Sequence, residues 1–454
     1  MNQPSPQSAI SPSMPCPSPV SLWQASLYWL KLGFISFGGP AGQISIMHHD
    51  LVENNRWISE KRFLHALNYC MVLPGPEAQQ LATYIGWLMH GAWGGIVAGS
   101  LFVLPSFFII TALAWIYMAY GAVPAIVGVL YGIKPAVVAI VLFAAYRIGA
   151  RVLKNQVMWC IAAFAFIAIF IFKVPFPIIV LSAGMIGYFG SHLAPQYFKV
   201  GSSYSADHKA YGPALIDDDS PTPQHANFSW KKLLRVAAIG LAIWFMAIAL
   251  LFIRYGWNGA LTQMGWFFTK AALLTFGGAY AVLPYVYQGA VEHYQWLNPM
   301  QMMDGLALGE TTPGPLIMIV TFVGFIGGWG SQALGSDSNV VCSIVAAAIV
   351  TFFTFLPSFI FILMGAPFIE STHGNLKLTA PLSAITAAVV GVIVNLALFF
   401  AYHVLWPKGF STMLDWPSAI IIGCATVAVF KFKVNVIPII VSCSLLGMVY
   451  KLFI

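Results

Sequence analysis

Ser36-Phe37-Gly38-Gly39-Pro40 and Leu73-Pro74-Gly75-Pro76-Glu77 interrupt sequence that otherwise reads as membrane helix. Glycine permits left-handed dihedrals, and proline lacks the N–H and clashes with the preceding turn. A helix stopped this way leaves backbone N–H and C=O groups unpaired. In a bilayer those groups need partners in protein, water or a ligand. The same pair recurs as Phe276-Gly277-Gly278 and Thr312-Pro313-Gly314-Pro315. Two broken-helix modules in one membrane chain point to a transporter with its site at the repeat interface.

Composition sets the class. Of 454 residues, 59% are hydrophobic and 8% charged, where a soluble domain would carry roughly a quarter charged. Fifteen Trp suit the interfacial belts of a bilayer. The expectation is an all-α polytopic membrane protein with the lipid bilayer as its surroundings. The net charge of +7 is spread over loops, without a compact basic patch, so nucleic acid is not an expected partner. Cys16, Cys70, Cys160, Cys342, Cys424 and Cys443 show no C-x-x-C and no Cys/His zinc spacing. His48-His49-Asp50 lacks a further ligand at metal spacing and reads as an amphipathic face. Neither a metal nor a cofactor is expected. The chain has no Walker A, no Ser/His/Asp order and no H-E-x-x-H, so neither an ATP engine nor an enzyme is expected.

A spanning helix needs about 20 apolar residues. By that length the chain divides into a Pro/Ser-rich disordered tail at 1–20, a first transmembrane repeat at 21–192, a polar cytoplasmic linker at 193–229, and an extra span with a second repeat at 230–454. The linker, with Asp217-Asp218-Asp219, reads as solvated and flexible. Candidate spans in the first repeat are 21–39, a broken segment at 59–90, then 91–120, 123–148, 157–172 and 176–192. The second repeat follows the same plan after the extra span at 230–253, giving about thirteen spans.

The duplication is visible by subtraction. Lys31 and Lys270, Phe37 and Phe276, Trp57 and Trp296, and the two Pro-Gly-Pro triplets at 74–76 and 313–315 all lie 239 residues apart. Leu104-Pro105-Ser106-Phe107 and Leu356-Pro357-Ser358-Phe359 lie 252 apart, and Phe172-Lys173-Val174 and Phe432-Lys433-Val434 lie 260 apart. Arg147, Arg151 and Lys154, then Lys199, Lys209, Lys231, Lys232 and Arg235, mark cytoplasmic loops by the positive-inside rule. The extra span then inverts the second repeat and leaves the N-terminus inside. Parallel repeats with one misread span are the alternative.

Three sets of residues are candidates for the site. The breaks, Gly38, Gly39, Pro40, Pro74, Gly75, Pro76, Gly277, Gly278, Pro313, Gly314 and Pro315, free N–H groups at the positive ends of helix dipoles and suit an anion. Lys134 lies about 16 Å into its span, too deep to snorkel with ease. Intramembrane lysine is functional by default, and a structural ion pair is the bland alternative. Lys31 and Lys270 precede each Gly-Gly and either attract the anion or reach an interface. Glu77 and Glu310 flank the Pro-Gly-Pro breaks and are candidates for proton coupling, since a desolvated carboxylate exchanges its proton more readily. A cap-like role at a helix start is the alternative for Glu77.

These residues resemble the chromate ion transporter family. The matching strings are Ser36–Pro40, Arg62-Phe63-Leu64, Leu73-Pro74-Gly75-Pro76-Glu77-Ala78, Gly132-Ile133-Lys134-Pro135-Ala136-Val137-Val138-Ala139-Ile140, Thr275-Phe276-Gly277-Gly278-Ala279-Tyr280 and Gly309-Glu310-Thr311-Thr312-Pro313-Gly314-Pro315-Leu316. They cover both halves and leave out the tail and the linker. The resemblance implies a bacterial inner-membrane transporter that exports chromate and confers resistance, with sulfate as the isosteric competitor. Export coupled to the proton gradient, by rocking of one repeat against the other, is the expectation. A homodimer is also admitted. The rivals are a sulfate or other small-anion transporter, a membrane-embedded lipid-modifying enzyme, and an ion channel.

Overall fold

The computed structural model describes residues 17–37, 39–198, 212–218, 223–276, 278–331, 339–371, 379–407, 409–410 and 413–453. Gly38, Gly277, tail residues 1–16 and linker residues 199–211 and 219–222 lie outside them. The described chain is helical throughout, save one isolated bridge, Ile58 with Ile216. The first half comprises α1 (Leu22–Ile35), α2 (Gly39–His48), α3 (Glu60–Cys70), α4 (Glu77–Tyr120), α5 (Pro124–Val152), α6 (Gln156–Phe170), α7 (Phe176–Leu193) and the short α8 (Pro195–Phe198). After α9 (Trp230–Tyr255) come α10 (Ala260–Leu273), α11 (Ala279–Tyr287), α12 (Pro299–Thr311), α13 (Ile319–Ser331), α14 (Asn339–Ser371), α15 (Thr379–Leu405), α16 (Trp416–Phe430) and α17 (Val436–Phe453). A π-helical turn extends α2 at His49–Asn54 and α11 at Gln288–His293.

Seven helices among the described residues are long and apolar enough to cross a membrane, those of α4, α5, α7, α9, α14, α15 and α17. The chain is a multi-pass membrane protein. α6, α16 and the Leu316–Ser331 helix are apolar but shorter. The remaining helices are short because the breaks stop them. α1 covers only part of the span expected at 21–39, and the chain then doubles back: the ring of Tyr28 in α1 lies 5.1 Å from that of Trp57, beyond α2. α4 is itself a hairpin. His90 and Gly91 leave helical dihedrals (Gly91 φ 66°), and the arm at 77–89, about 20 Å long, folds onto 92–120. Gly86 meets Gly94 and Ala98, and Gly95 meets the backbone of Thr83. Small residues give the close helix approach that bilayer packing relies on.

The long helices α4 and α14 run antiparallel. Gly95 lies against Leu363 and Gly99 against Phe359, so numbers rise along one helix as they fall along the other. At one end of the molecule His90 bonds the Val20 carbonyl, and Glu370 meets Tyr84 and Arg62. At the other end Tyr117 bonds Asp304 and Tyr131 bonds Asp415. α9 buries only Gly240 and Ile248 and turns Leu234, Leu241, Phe245 and Leu250 outward. That apolar exterior is what a lipid-facing helix needs.

In its described residues the linker departs from the expectation of a solvated, flexible segment. Its described residues dock on the first repeat. Leu215 N–H bonds the Arg56 carbonyl at 2.8 Å, Ser59 N–H bonds the Ile216 carbonyl at 3.0 Å, and Ser59 Oγ donates to Asp218 at 2.6 Å. His225 sits on the Trp87 ring and bonds its carbonyl at 2.9 Å. Low hydropathy hid these backbone pairings, which carry no compositional signal. Ile216 is buried, so Ile216→Asp should release the linker. Limited proteolysis should then cut residues 212–229 at least several-fold faster than in wild type; equal cutting would mean that the docking adds no protection.

Candidate functional site

The two Pro-Gly-Pro breaks are laced across the repeats. Gly75 N–H donates to the Thr275 carbonyl at 2.7 Å, and Gly314 N–H donates to the Ser36 carbonyl at 2.8 Å. Gly75 and Gly314 are 239 residues apart, as are Ser36 and Thr275, so the lacing is reciprocal between the two repeats. Both glycines have positive φ, 132° and 102°. The N–H of each Pro-Gly-Pro glycine is therefore occupied by protein. The donors left for a ligand are those in the first turns of the helices that follow.

Those first turns meet. A cavity of about 240 Å³, its open mouth included, is lined by Pro40 and Gln43 at the start of α2, Pro76, Glu77 and Ala78 at the start of α4, Ala279 at the start of α11, and Pro315, Leu316 and Ile317 ahead of α13. Four helix starts from both repeats thus face one space. Each presents roughly half a positive charge, which is the arrangement an anion requires. The Gln43 side chain is fully buried. Its amide donates to the Gly314 carbonyl, and its Oε1 has no partner among the described residues. Glu77 is the one carboxylate in the lining.

The other expected residues are outside the lining. Gly39 (φ 69°) opens α2 and Gly278 (φ 99°) caps α11. The Pro74 carbonyl takes the Gln80 amide at 2.8 Å. Pro313 is not in the cavity lining. Glu310 is outside the lining and accepts the Tyr280 hydroxyl. Lys31 is exposed on α1, and Lys270 sits 5.8 Å over the Trp266 ring. Lys134 is outside the lining: its Nζ is 3.4 Å from Asp304, which also accepts the Tyr117 hydroxyl at 3.0 Å. Asp304 is nine residues before Pro313, about 14 Å along α12. His48 bonds Glu60 at 2.7 Å, and His49 is 2.9 Å from Glu53. That hydrogen bond holds the Glu53 carboxyl below its usual range.

Sequence reading missed Gln43, Asp304, Tyr280 and the Arg62–Glu370–Tyr84 cluster. Asp304 had a signal, a lone acid within Met302-Met303-Asp304-Gly305-Leu306. Gln43 had none, because it matters only through the carbonyl it reaches in the other repeat.

The model of a family described as chromate transporter matches residues 23–188 and 262–448. The chain belongs to the chromate transporter family. The two matched segments begin 239 residues apart and end 260 apart, the offsets that relate the repeated motifs. The chain is 28% identical over 453 residues to a chromate transport protein of Cupriavidus metallidurans, covering 99% of this chain and 98% of that one. It is 32% identical over 436 residues to a chromate transport protein of Pseudomonas aeruginosa, covering 95% and 93%. A probable chromate transport protein of Synechococcus elongatus is 29% identical over 375 residues, with 82% and 83% covered. No solved structure matches. In chromate transporter terms, four of the strings that carried the resemblance, Ser36–Pro40, Leu73–Ala78, Thr275–Tyr280 and Gly309–Leu316, contribute residues to the cavity lining.

Proposed function

We propose that the protein is a secondary transporter that exports chromate, a tetrahedral oxyanion, across the bacterial inner membrane, coupled to the proton gradient, and so confers chromate resistance. The observation that carries this reading is the cavity walled by four helix starts, two from each repeat. Taking a dianion out of water costs several kcal/mol, and convergent helix starts offset part of that cost. Glu77 is the coupling carboxylate. Gln43 Oε1 is buried without a donor in the same cavity, and a protonated Glu77 can supply one, where an ionised Glu77 cannot. Glu310, bonded to Tyr280, is the second candidate.

The repeats are inverted in this reading, supported by the antiparallel course of α4 and α14. The N-terminus and the linker are cytoplasmic, supported by the Arg147, Arg151 and Lys154 cluster. Alternating access moves one repeat against the other about the laced breaks. In a cysteine-free background, Asn227→Cys and Asn258→Cys should be labelled from opposite sides of the membrane; labelling of both from outside would overturn the topology.

Inside-out vesicles test the transport reading. Chromate should accumulate when a proton gradient is imposed, and it should compete with sulfate. Accumulation that ignores the gradient would remove the coupling. Sulfate accumulation without chromate would instead favour the sulfate-transporter reading, since the two dianions share shape and charge.

A further inference from the structure

The Leu-Pro-Ser-Phe motif, present once in each repeat, has so far served only as a marker of duplication. Its serines, Ser106 on α4 and Ser358 on α14, lie 252 residues apart. Both are buried, at 0% and 1% exposure. Each packs under the Pro-Gly-Pro glycine of the other repeat. A β-carbon on Gly75 would overlap Ser358 Oγ, and one on Gly314 would stand 2.6 Å from Ser106 Cβ and 2.9 Å from its Oγ. Pro76 and Pro315, the next residues along, line the cavity; the serines are outside that lining, packed on the glycines beside it.

Neither serine hydroxyl has a hydrogen-bond partner among the described residues. Many other helical hydroxyls among the described residues satisfy themselves on the carbonyl one turn back. Thr354, one turn before Ser358 on the same helix, donates to Val350 at 2.7 Å, and Ser343, Thr351 and Thr386 do likewise. Ser106 and Ser358 forgo that bond at equivalent positions in both repeats. Thr111 and Thr262 also lack partners, but their repeat positions hold Leu363 and Trp23, so neither is duplicated. A buried, unpaired hydroxyl is costly to the fold, and carrying it twice at the same place calls for a use. Ser36 Oγ and Gln43 Oε1 are unpaired beside the same breaks.

We infer that Ser106 and Ser358 are a symmetric pair of substrate-binding hydroxyls, one at each Pro-Gly-Pro break, that donate hydrogen bonds to the oxygens of a tetrahedral oxyanion. This rests on the reading of the cavity as the anion site. A tetrahedral dianion has oxygens to spare for a donor on each side, and a hydroxyl provides a donor without fixing a cation in the path. The pair also explains the glycines opposite: a side chain at Gly75 or Gly314 would displace the hydroxyl.

The experiment measures binding of chromate, molybdate and sulfate to purified wild type, Ser106→Ala, Ser358→Ala and the double variant, with the melting temperature of each. Each single change should weaken binding of the preferred anion about ten-fold, and the double change about a hundred-fold. Melting temperatures should hold or rise, because an unpaired hydroxyl has been removed. Ser→Cys, which keeps the shape with a weaker donor, should fall between wild type and alanine. Unchanged affinity in both alanine variants would overturn the pair as ligands. So would a lowered melting temperature with affinity retained, which marks a packing role. Wild type that binds sulfate but not chromate would change the substrate in the proposed function and leave the serine pair standing. Wild type that binds none of the three would overturn the anion-site reading and this inference together.

Discussion

Gly75→Ala is expected to abolish transport and to destabilise the folded protein by several kcal/mol. Three costs add. The residue holds φ at 132°, where a side chain adds about 1–3 kcal/mol of backbone strain. Its β-carbon would overlap Ser358 Oγ and stand 2.6 Å from Gln80 Nε2. Relief by movement would break the Gly75–Thr275 bond, worth about 0.5–1.5 kcal/mol net and more if the carbonyl is left buried and unpaired. Gly314→Ala is the mirror change and should behave alike. Gly39→Ala is the control: it too has positive φ, but no neighbour lies within 4 Å of the added carbon, so it should cost about 1–2 kcal/mol. Melting temperature in detergent and chromate flux in proteoliposomes measure both effects. Gly75→Ala with wild-type stability and flux would mean that the lacing across the repeats holds nothing together.

The second large effect is at Lys134. Lys134→Gln leaves Asp304, 2% exposed in its side chain, as a buried charge without its cation. Removing one partner of a buried pair costs about 3–5 kcal/mol, whereas removing both is often near neutral. The double variant Lys134→Gln/Asp304→Asn should therefore regain most of the stability lost by the single change. Chromate affinity in that refolded double variant separates the two roles open to Lys134. Affinity near wild type makes the lysine a structural partner at one end of the molecule. A loss of ten-fold or more makes it an anion ligand as well, as its depth in the span suggested.

The breaks and the duplication were legible because glycine and proline are rare punctuation in apolar helix, and fixed offsets are hard to hold by chance. Lys134 stood out as a lone lysine within an apolar span, and it is paired with Asp304. Chain direction was not legible. The reversal at His90-Gly91 looked like an ordinary boundary between two spans, and only the packing of Gly86 on Gly94 reveals a hairpin. The lacing of Gly75 to Thr275 was invisible, because it joins residues 200 positions apart through backbone atoms. Asp304 gave little signal because it stands apart from the breaks and its partner, Lys134, comes from the other repeat.

The oxyanion is expected to bind where the four helix starts meet. The direct measurement is a structure of the protein with chromate bound, the chromium located by its anomalous scattering. One peak is expected in the cavity bounded by Gln43, Glu77, Ala279 and Ile317, with anion oxygens about 3 Å from first-turn N–H groups. A peak beside Lys134 and Asp304, with the cavity empty, would contradict it.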